Sequence, residues 1–114
     1  MSYYANSVGI IKTKPNENEL PDKEQIEFCK KVLGFIKEHK YFCSDKTSYE
    51  YKNVLALYHR KYISNGALIQ AALDLGLSVK RLGNSPNAEF KFCSSDLNLA
   101  ILNFYLRKPE IENV

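Results

Sequence analysis

The chain has 114 residues, of which 45% are hydrophobic and 25% charged, and its formal net charge is +3. This apolar content suffices for one core without a metal or disulfides, and the composition is not that of a disordered chain. No apolar run approaches the roughly 20 residues of a membrane span, and the first twenty residues lack the basic start and apolar stretch of a signal peptide. We therefore expect one soluble, cytoplasmic domain that is not exported by the general secretory route.

The chain has three cysteines, Cys29, Cys43 and Cys93, and none lies in a C-x-x-C pair. An odd number cannot pair fully within one chain, so we expect reduced thiols. His39, Cys43, His59 and Cys93 include the ligand types of a zinc site, and the spacing of His39 and Cys43 fits one arm of such a site. The sequence offers no second close pair, so we predict neither a metal nor any other cofactor.

Residues 1–20 divide into an apolar piece, YYANSVGII, and a polar piece, KTKPNENELPD. The apolar piece could add a strand or pack as an arm, and the polar piece has the Pro, Asn and Glu content of a linker. We place the folded domain at residues 21–107 and expect residues 108–114 to fray.

Two amphipathic helices are predicted next. The first begins at Pro21, a residue suited to the first turn of a helix, and ends near Lys40, because apolar residues recur there at intervals of three or four. In the second, Thr47 and Glu50 have the spacing of a capping box, and the helix continues to about Arg60. The apolar positions of the first helix are Ile26, Cys29, Val32, Leu33 and Ile36.

A third helix follows within three or four residues, which is the interval of a helix-turn-helix. Ser64 is placed to cap it, and Gly76 follows its last residue, Leu75. The apolar period then changes to about two on either side of the turn formers GNSPN, which predicts a β-hairpin. Ser94 or Ser95 caps a last helix that is apolar on most sides, so we expect it to be buried or to form a dimer contact.

Three helices, a two-stranded hairpin and a C-terminal helix, over about residues 22 to 106, resemble the winged helix-turn-helix class. The predicted fold is therefore mainly α with a β-hairpin and winged helix-like. The resemblance implies that residues 65–75 form the recognition helix and residues 80–89 the wing. The stretch YISNGALIQAALDLGLSVKR also resembles stretches in small proteins of phages and mobile elements, without adding site residues.

The resemblance implies a non-enzymatic module that binds nucleic acid, with duplex DNA as the favoured partner. Asn65 and Gln70 are of the types that read base edges from a groove helix. Basic residues near this helix would contact phosphates, which position a module without reading sequence. These are Arg60, Lys61, Lys80, Arg81 and Lys91.

The alternative is a protein-interaction module on the same scaffold. The third helix has no basic residue, and the small side chains of Gly66, Ala67 and Ala71 permit close approach of a protein surface as well as of DNA. Self-association as a homodimer, through the N-terminal arm or the last helix, is compatible with the same pattern.

A catalytic site can be drawn from Cys43 as nucleophile, His39 or His59 as base and Asp45 as orienting group. Such triads are defined by geometry, which a sequence does not supply. No glycine-rich phosphate loop is present either. We therefore predict that the protein is not an enzyme.

Overall fold

The computed structural model describes residues 3–112, with side chains for residues 3–107, and contains four α-helices and two short hairpins within that range. Both hairpins are antiparallel. In chain order the elements are β1 (Tyr4–Ala5), β2 (Ile10–Ile11), a 3-10 turn (Glu17–Glu19), α1 (Lys23–Leu33), α2 (Ser48–His59), α3 (Asn65–Asp74), β3 (Val79–Arg81), β4 (Ala88–Phe90) and α4 (Ser94–Glu112).

The caps predicted for α2 and α3 are confirmed. Thr47 is the N-cap of α2 and forms the capping box with Glu50, whose carboxylate accepts hydrogen bonds from the Thr47 N–H and hydroxyl. Ser64 caps α3 by accepting from the Ala67 N–H, and Gly76 follows with φ of +75°. Local sequence therefore fixes the start of α2 and both ends of α3.

The prediction that α1 extends to about Lys40 is wrong. The helix ends at Leu33, and Gly34 is its C-cap, with its N–H bonded to the Lys30 carbonyl. Phe35 and Ile36 continue the apolar spacing but pack against the core from the following loop. The same apolar contacts are thus made without a helix, which explains why periodicity alone misplaced this end.

Helix α3 lies at the centre of the core. It packs against α1, α2, β1 and β3, and apart from Gln70 the residues from its N-terminus to Ala72 are buried. These residues are Asn65, Gly66, Ala67, Leu68, Ile69, Ala71 and Ala72.

The N-terminal hairpin β1–β2 covers the start of α3. Ala5 and Ile10 are fully buried, and the Ile10 N–H donates to the Pro86 carbonyl at 2.8 Å. A Cβ on Gly66 would overlap the carbonyl of Asn6, so this glycine allows the hairpin backbone to lie directly on the helix. The small residue that we expected to admit a partner thus admits the chain's own N-terminal arm.

The second hairpin carries an added segment on its β4 edge. Val79, Lys80 and Arg81 pair with Phe90, Glu89 and Ala88. On the other edge of β4, the Cys43 N–H donates to the Phe90 carbonyl at 2.9 Å.

The mainly helical architecture and the order of three helices, hairpin and last helix are confirmed. The finer assignment to the winged-helix class stays a prediction. Helix α4 runs through most of the stretch that we predicted as a frayed tail, and residues 113 and 114 lie outside the described part of the chain.

Candidate functional site

The two residues predicted to read bases are engaged within the protein. Asn65 is 5% exposed, and its side-chain amide nitrogen lies within hydrogen-bond distance of the Val8 and Pro86 carbonyls and of the Asn87 side chain. Gln70 donates to the Asp74 carboxylate at 2.7 Å. Asn65 therefore joins the N-terminal arm to the second hairpin. These segments cover the start of α3, which a recognition helix would have to expose to the DNA groove.

The basic residues after α2 lie apart from α3's buried face. Arg60 is the C-cap of α2, with φ of 62°, and lines a groove between α2 and α4. Lys61 is exposed and lies 3.4 Å from a Glu24 carboxylate oxygen on α1. An exposed pair of this kind contributes little to stability, so the Lys61 ammonium can exchange Glu24 for another anion.

The basic residues of the second hairpin surround an aromatic ring. The ammonium groups of Lys80 and Lys91 lie 5.9 and 5.2 Å from the centre of the half-buried Phe42 ring. Lys80 also lies 4.0 Å from Glu89, which is buried beside it. Arg81 is half-buried, and its Nε has no partner among the described residues. The structure thus brings Lys80 and Lys91 together around Phe42, a residue that we did not single out from the sequence.

A second surface carries exposed leucines. We use the name leucine face for Leu57 on α2 together with Leu99, Leu102 and Leu106 on α4. Their side chains are 78%, 57%, 53% and 60% exposed. Beside them runs an open groove of about 480 Å³ between α2 and α4, lined in part by Leu57, Leu102 and Tyr105. The prediction of a buried α4 is correct for one side of the helix only.

The third feature is a disulfide between two cysteines that we expected to be reduced. That expectation is corrected by the structure, in which Cys43 and Cys93 form a disulfide while Cys29 is free and buried. The two cysteines are 50 residues apart in sequence, but Cys43 pairs beside β4 and Cys93 directly precedes α4. Burial raises the pKa of the Cys29 thiol to about 12.

A histidine and a carboxylate lie beside this disulfide. His39 Nε2 is 2.6 Å from Asp96 Oδ2, and the same oxygen accepts from the Cys93 N–H at 2.8 Å. Burial alone would raise the pKa of Asp96, but its bonds to Cys93 and His39 outweigh burial and lower the pKa below its ordinary value. The carboxylate that contacts His39 is thus Asp96, where we had drawn Asp45 in a hypothetical triad. The other histidine, His59, stacks on Phe28 at 4.1 Å.

Sequence reasoning missed two of these features for identifiable reasons. Asp96 follows Cys93 with the spacing C-x-x-D, which is a second close pair of metal-binding residue types. From the sequence we considered only histidine and cysteine as zinc ligands and therefore did not include Asp96. On the leucine face, Leu99, Leu102 and Leu106 recur at intervals of three and four in a helix that is also apolar on its buried side. The pattern therefore did not show which side was left open.

No family model, curated protein or solved structure matches this chain. Among the described residues, no helix combines the length and the hydropathy that crossing a bilayer requires.

Proposed function

We propose that this protein is a non-catalytic interaction module and that the leucine face is its docking surface. The observation that carries the proposal is the exposure of four leucines, each more than half open to solvent, on two adjacent helices. Isolated exposed leucines are ordinary, but contiguous apolar patches on a folded domain mark interaction sites. This surface differs from the face of the third helix that we first considered, because most of that helix is buried.

The partner that we propose for this face is a second copy of the chain. A symmetric contact needs a surface that is complementary to itself. Here the exposed Leu99 and Leu106 lie outside the groove that Leu57 and Leu102 line, so each copy has both exposed apolar side chains to insert and a groove to receive them. The spacing of three and four along α4 is also that of helices that pair through a leucine seam.

The charges of α4 favour antiparallel pairing of the two copies. Residues 97–106 contain no charged side chain, so nothing in this stretch repels an identical helix. Asp96 precedes the uncharged stretch and Arg107 follows it, about three helical turns later. In an antiparallel pair, Asp96 of each α4 lies near Arg107 of the other.

Sedimentation equilibrium over a range of protein concentrations tests this proposal. We expect a monomer–dimer equilibrium for the native protein. Leu102→Asp should weaken dimerisation by roughly 30-fold or more, because burying an unpaired charge costs about 2 kcal/mol or more. The matched control is Leu20→Asp, which alters a leucine of similar exposure on another segment and should leave the equilibrium unchanged.

Two results would overturn the homodimer. One is a native protein that stays monomeric at the highest concentration studied. The other is an equal effect of Leu102→Asp and Leu20→Asp on the dissociation constant.

Nucleic-acid binding is the second candidate function, and the arrangement of Lys80 and Lys91 around Phe42 favours it. Two cations beside an aromatic ring can contact phosphates while the ring stacks on a base. The surface is the hairpin and the segment before α2; Asn65 and Gln70 have no part in it, since their side chains are bonded within the protein. The proposed setting remains the cytoplasm.

Fluorescence anisotropy with a labelled 30-base-pair duplex and with a single strand, about 30 bases long, tests the second candidate. Binding should weaken steeply with salt, and Lys91→Ala should reduce the slope of log K against log salt by about one unit for the duplex. Lys23→Ala, at the start of α1, is the control and should leave the slope unchanged. Absence of binding to either probe at low salt would remove this candidate.

A further inference from the structure

Three side chains of metal-binding types meet where the segment before α2 approaches the start of α4, and a fourth is joined to one of them by the disulfide. His39 Nε2, Cys93 Sγ and an Asp96 carboxylate oxygen lie within 4.8 Å of one another. Cys43 Sγ is bonded to Cys93 Sγ and therefore lies next to this group. Zinc is bound by this combination of thiolate, imidazole and carboxylate, most often with four ligands in a tetrahedron.

The four residues form two short arms. His39 and Cys43 are separated by three residues, and Cys93 and Asp96 by two. Paired ligands at such spacings are typical of structural zinc sites, because a short loop can turn both side chains towards one ion. The two arms lie next to each other in the fold, although Cys43 and Cys93 are 50 residues apart in the sequence.

Main-chain bonds hold the arms in place independently of the disulfide. The His39 N–H donates to the Lys91 carbonyl at 2.7 Å, and the Cys43 N–H donates to the Phe90 carbonyl at 2.9 Å. The second arm is fixed by the first turn of α4, where Asp96 accepts from the Cys93 N–H. Reduction of the disulfide therefore leaves the two sulfur atoms close together.

We propose that the reduced protein binds one zinc ion through Cys43, Cys93, His39 and Asp96, and that the disulfide and the zinc site are alternative states of the same residues. A thiol reductant converts the disulfide to two thiols while two reductant molecules become one disulfide. Zinc binding then releases one proton from each thiol and leaves two thiolates on the ion. The imidazole binds in its neutral form and the carboxylate as an anion.

The ligand set indicates zinc in preference to magnesium or calcium. Magnesium and calcium prefer oxygen ligands, whereas two thiolates and an imidazole suit a softer metal. Cys29 is excluded as a further ligand because it is buried among apolar residues in α1. The inference is independent of the leucine face and of nucleic-acid binding.

Cobalt titration of the full, reduced and chelator-treated protein tests the site. Tetrahedral cobalt gives visible absorption bands, and thiolate ligands add a charge-transfer band in the near ultraviolet. We expect both at one cobalt per chain, and zinc should displace them. Protein kept in the disulfide form should lack the charge-transfer band.

Variants identify the ligands. The double variant Cys43→Ser/Cys93→Ser should abolish the charge-transfer band, with folding checked by circular dichroism, while Cys29→Ser should retain it. His39→Ala keeps both sulfur atoms and should weaken cobalt binding by about 100-fold or more, since even partners of the ligands contribute about 10–100-fold. His59→Ala is its control and should bind as the native protein does.

The inference is overturned if the reduced native protein shows no charge-transfer band with cobalt, or if that band survives in the double variant Cys43→Ser/Cys93→Ser. Equal cobalt affinities of His39→Ala and His59→Ala would overturn the four-ligand site, because histidine would then have no part in it.

Discussion

Replacing Gly66 with alanine should detach the N-terminal hairpin from α3. The added Cβ would overlap the Asn6 carbonyl, which is main chain and cannot turn aside. Gly9→Ala should act on the same hairpin from its other side, because a Cβ there would overlap the Pro86 carbonyl. Both changes therefore require the arm to move as a unit.

The contacts of the arm set the size of the effect. Exposing the buried Ile10 side chain costs about 1.5–3 kcal/mol. The bonds from Ile10 N–H to Pro86 and from Asn65 to Val8 each contribute about 1 kcal/mol. The chain entropy regained by a released arm offsets part of this total, so we expect each variant to lose about 1–3 kcal/mol of unfolding free energy.

Urea unfolding of both single variants and the double variant is the assay. If both substitutions release the same arm, the second should lower the unfolding free energy only slightly once the first is present. The loss of unfolding free energy in the double variant should then be far smaller than the sum of the losses in the two single variants. In α3, alanine is intrinsically better than glycine by up to about 1 kcal/mol. Gly66→Ala should therefore become neutral or stabilising in the Gly9→Ala background.

Strictly additive losses would refute this reasoning, because they would mean that the two glycines support separate parts of the structure. An unchanged stability of Gly66→Ala in the native background would refute the close contact itself.

Three further predictions concern single side chains. Glu50→Ala should lose about 1 kcal/mol of unfolding free energy near neutral pH, because it breaks the capping box. Hydrogen bonds from Thr47 lower the pKa of Glu50 in the folded protein. The contribution of Glu50 to stability is therefore present above the unfolded pKa of about 4.3 and is lost as the pH falls through the folded pKa. Unfolding curves of both proteins from pH 7 to about pH 3 should therefore converge, and a constant gap would contradict the assignment. Asn65→Ala should lower the free energy of unfolding in urea by about 1–2 kcal/mol, because it removes the part-buried hydrogen bonds of the Asn65 amide to the Val8 and Pro86 carbonyls. A neutral result would mean that the arm is held by other contacts. Native Cys29 should resist alkylation at pH 8 and react only after unfolding, since burial raises the pKa of its thiol to about 12. Mass spectrometry measures the labelling, and rapid labelling of the native protein would show that the thiol is accessible.

The parts of the fold that the sequence predicted well depend on nearby residues. Thr47 and Glu50 mark the start of α2, Ser64 and Gly76 bound α3, and turn formers separate β3 from β4. Each signal acts over a few residues, so it is visible without knowledge of the remaining chain.

The parts that were missed depend on contacts between distant residues. Lys52 lies in an amphipathic helix, where a charged side chain ordinarily faces water, but it is buried, with its ammonium 4.9 and 5.0 Å from the rings of Tyr49 and Tyr62. Its methylene stem packs as an apolar group while the charge lies over aromatic faces. Asn65 was taken for a base-reading residue because its partners are 21 and 57 positions away. Residue type limited what each side chain can do, and the fold decided what it does.

The disulfide between Cys43 and Cys93 closes a covalent ring that contains α2, α3 and the second hairpin. The arm, α1 and α4 lie outside this ring as two tails. If the chain is pulled from its ends, only the tails can lengthen while the disulfide is intact. Reduction releases a further 50 residues, or roughly 170 Å of extended chain. The state of two sulfur atoms thus sets how far this protein can be stretched.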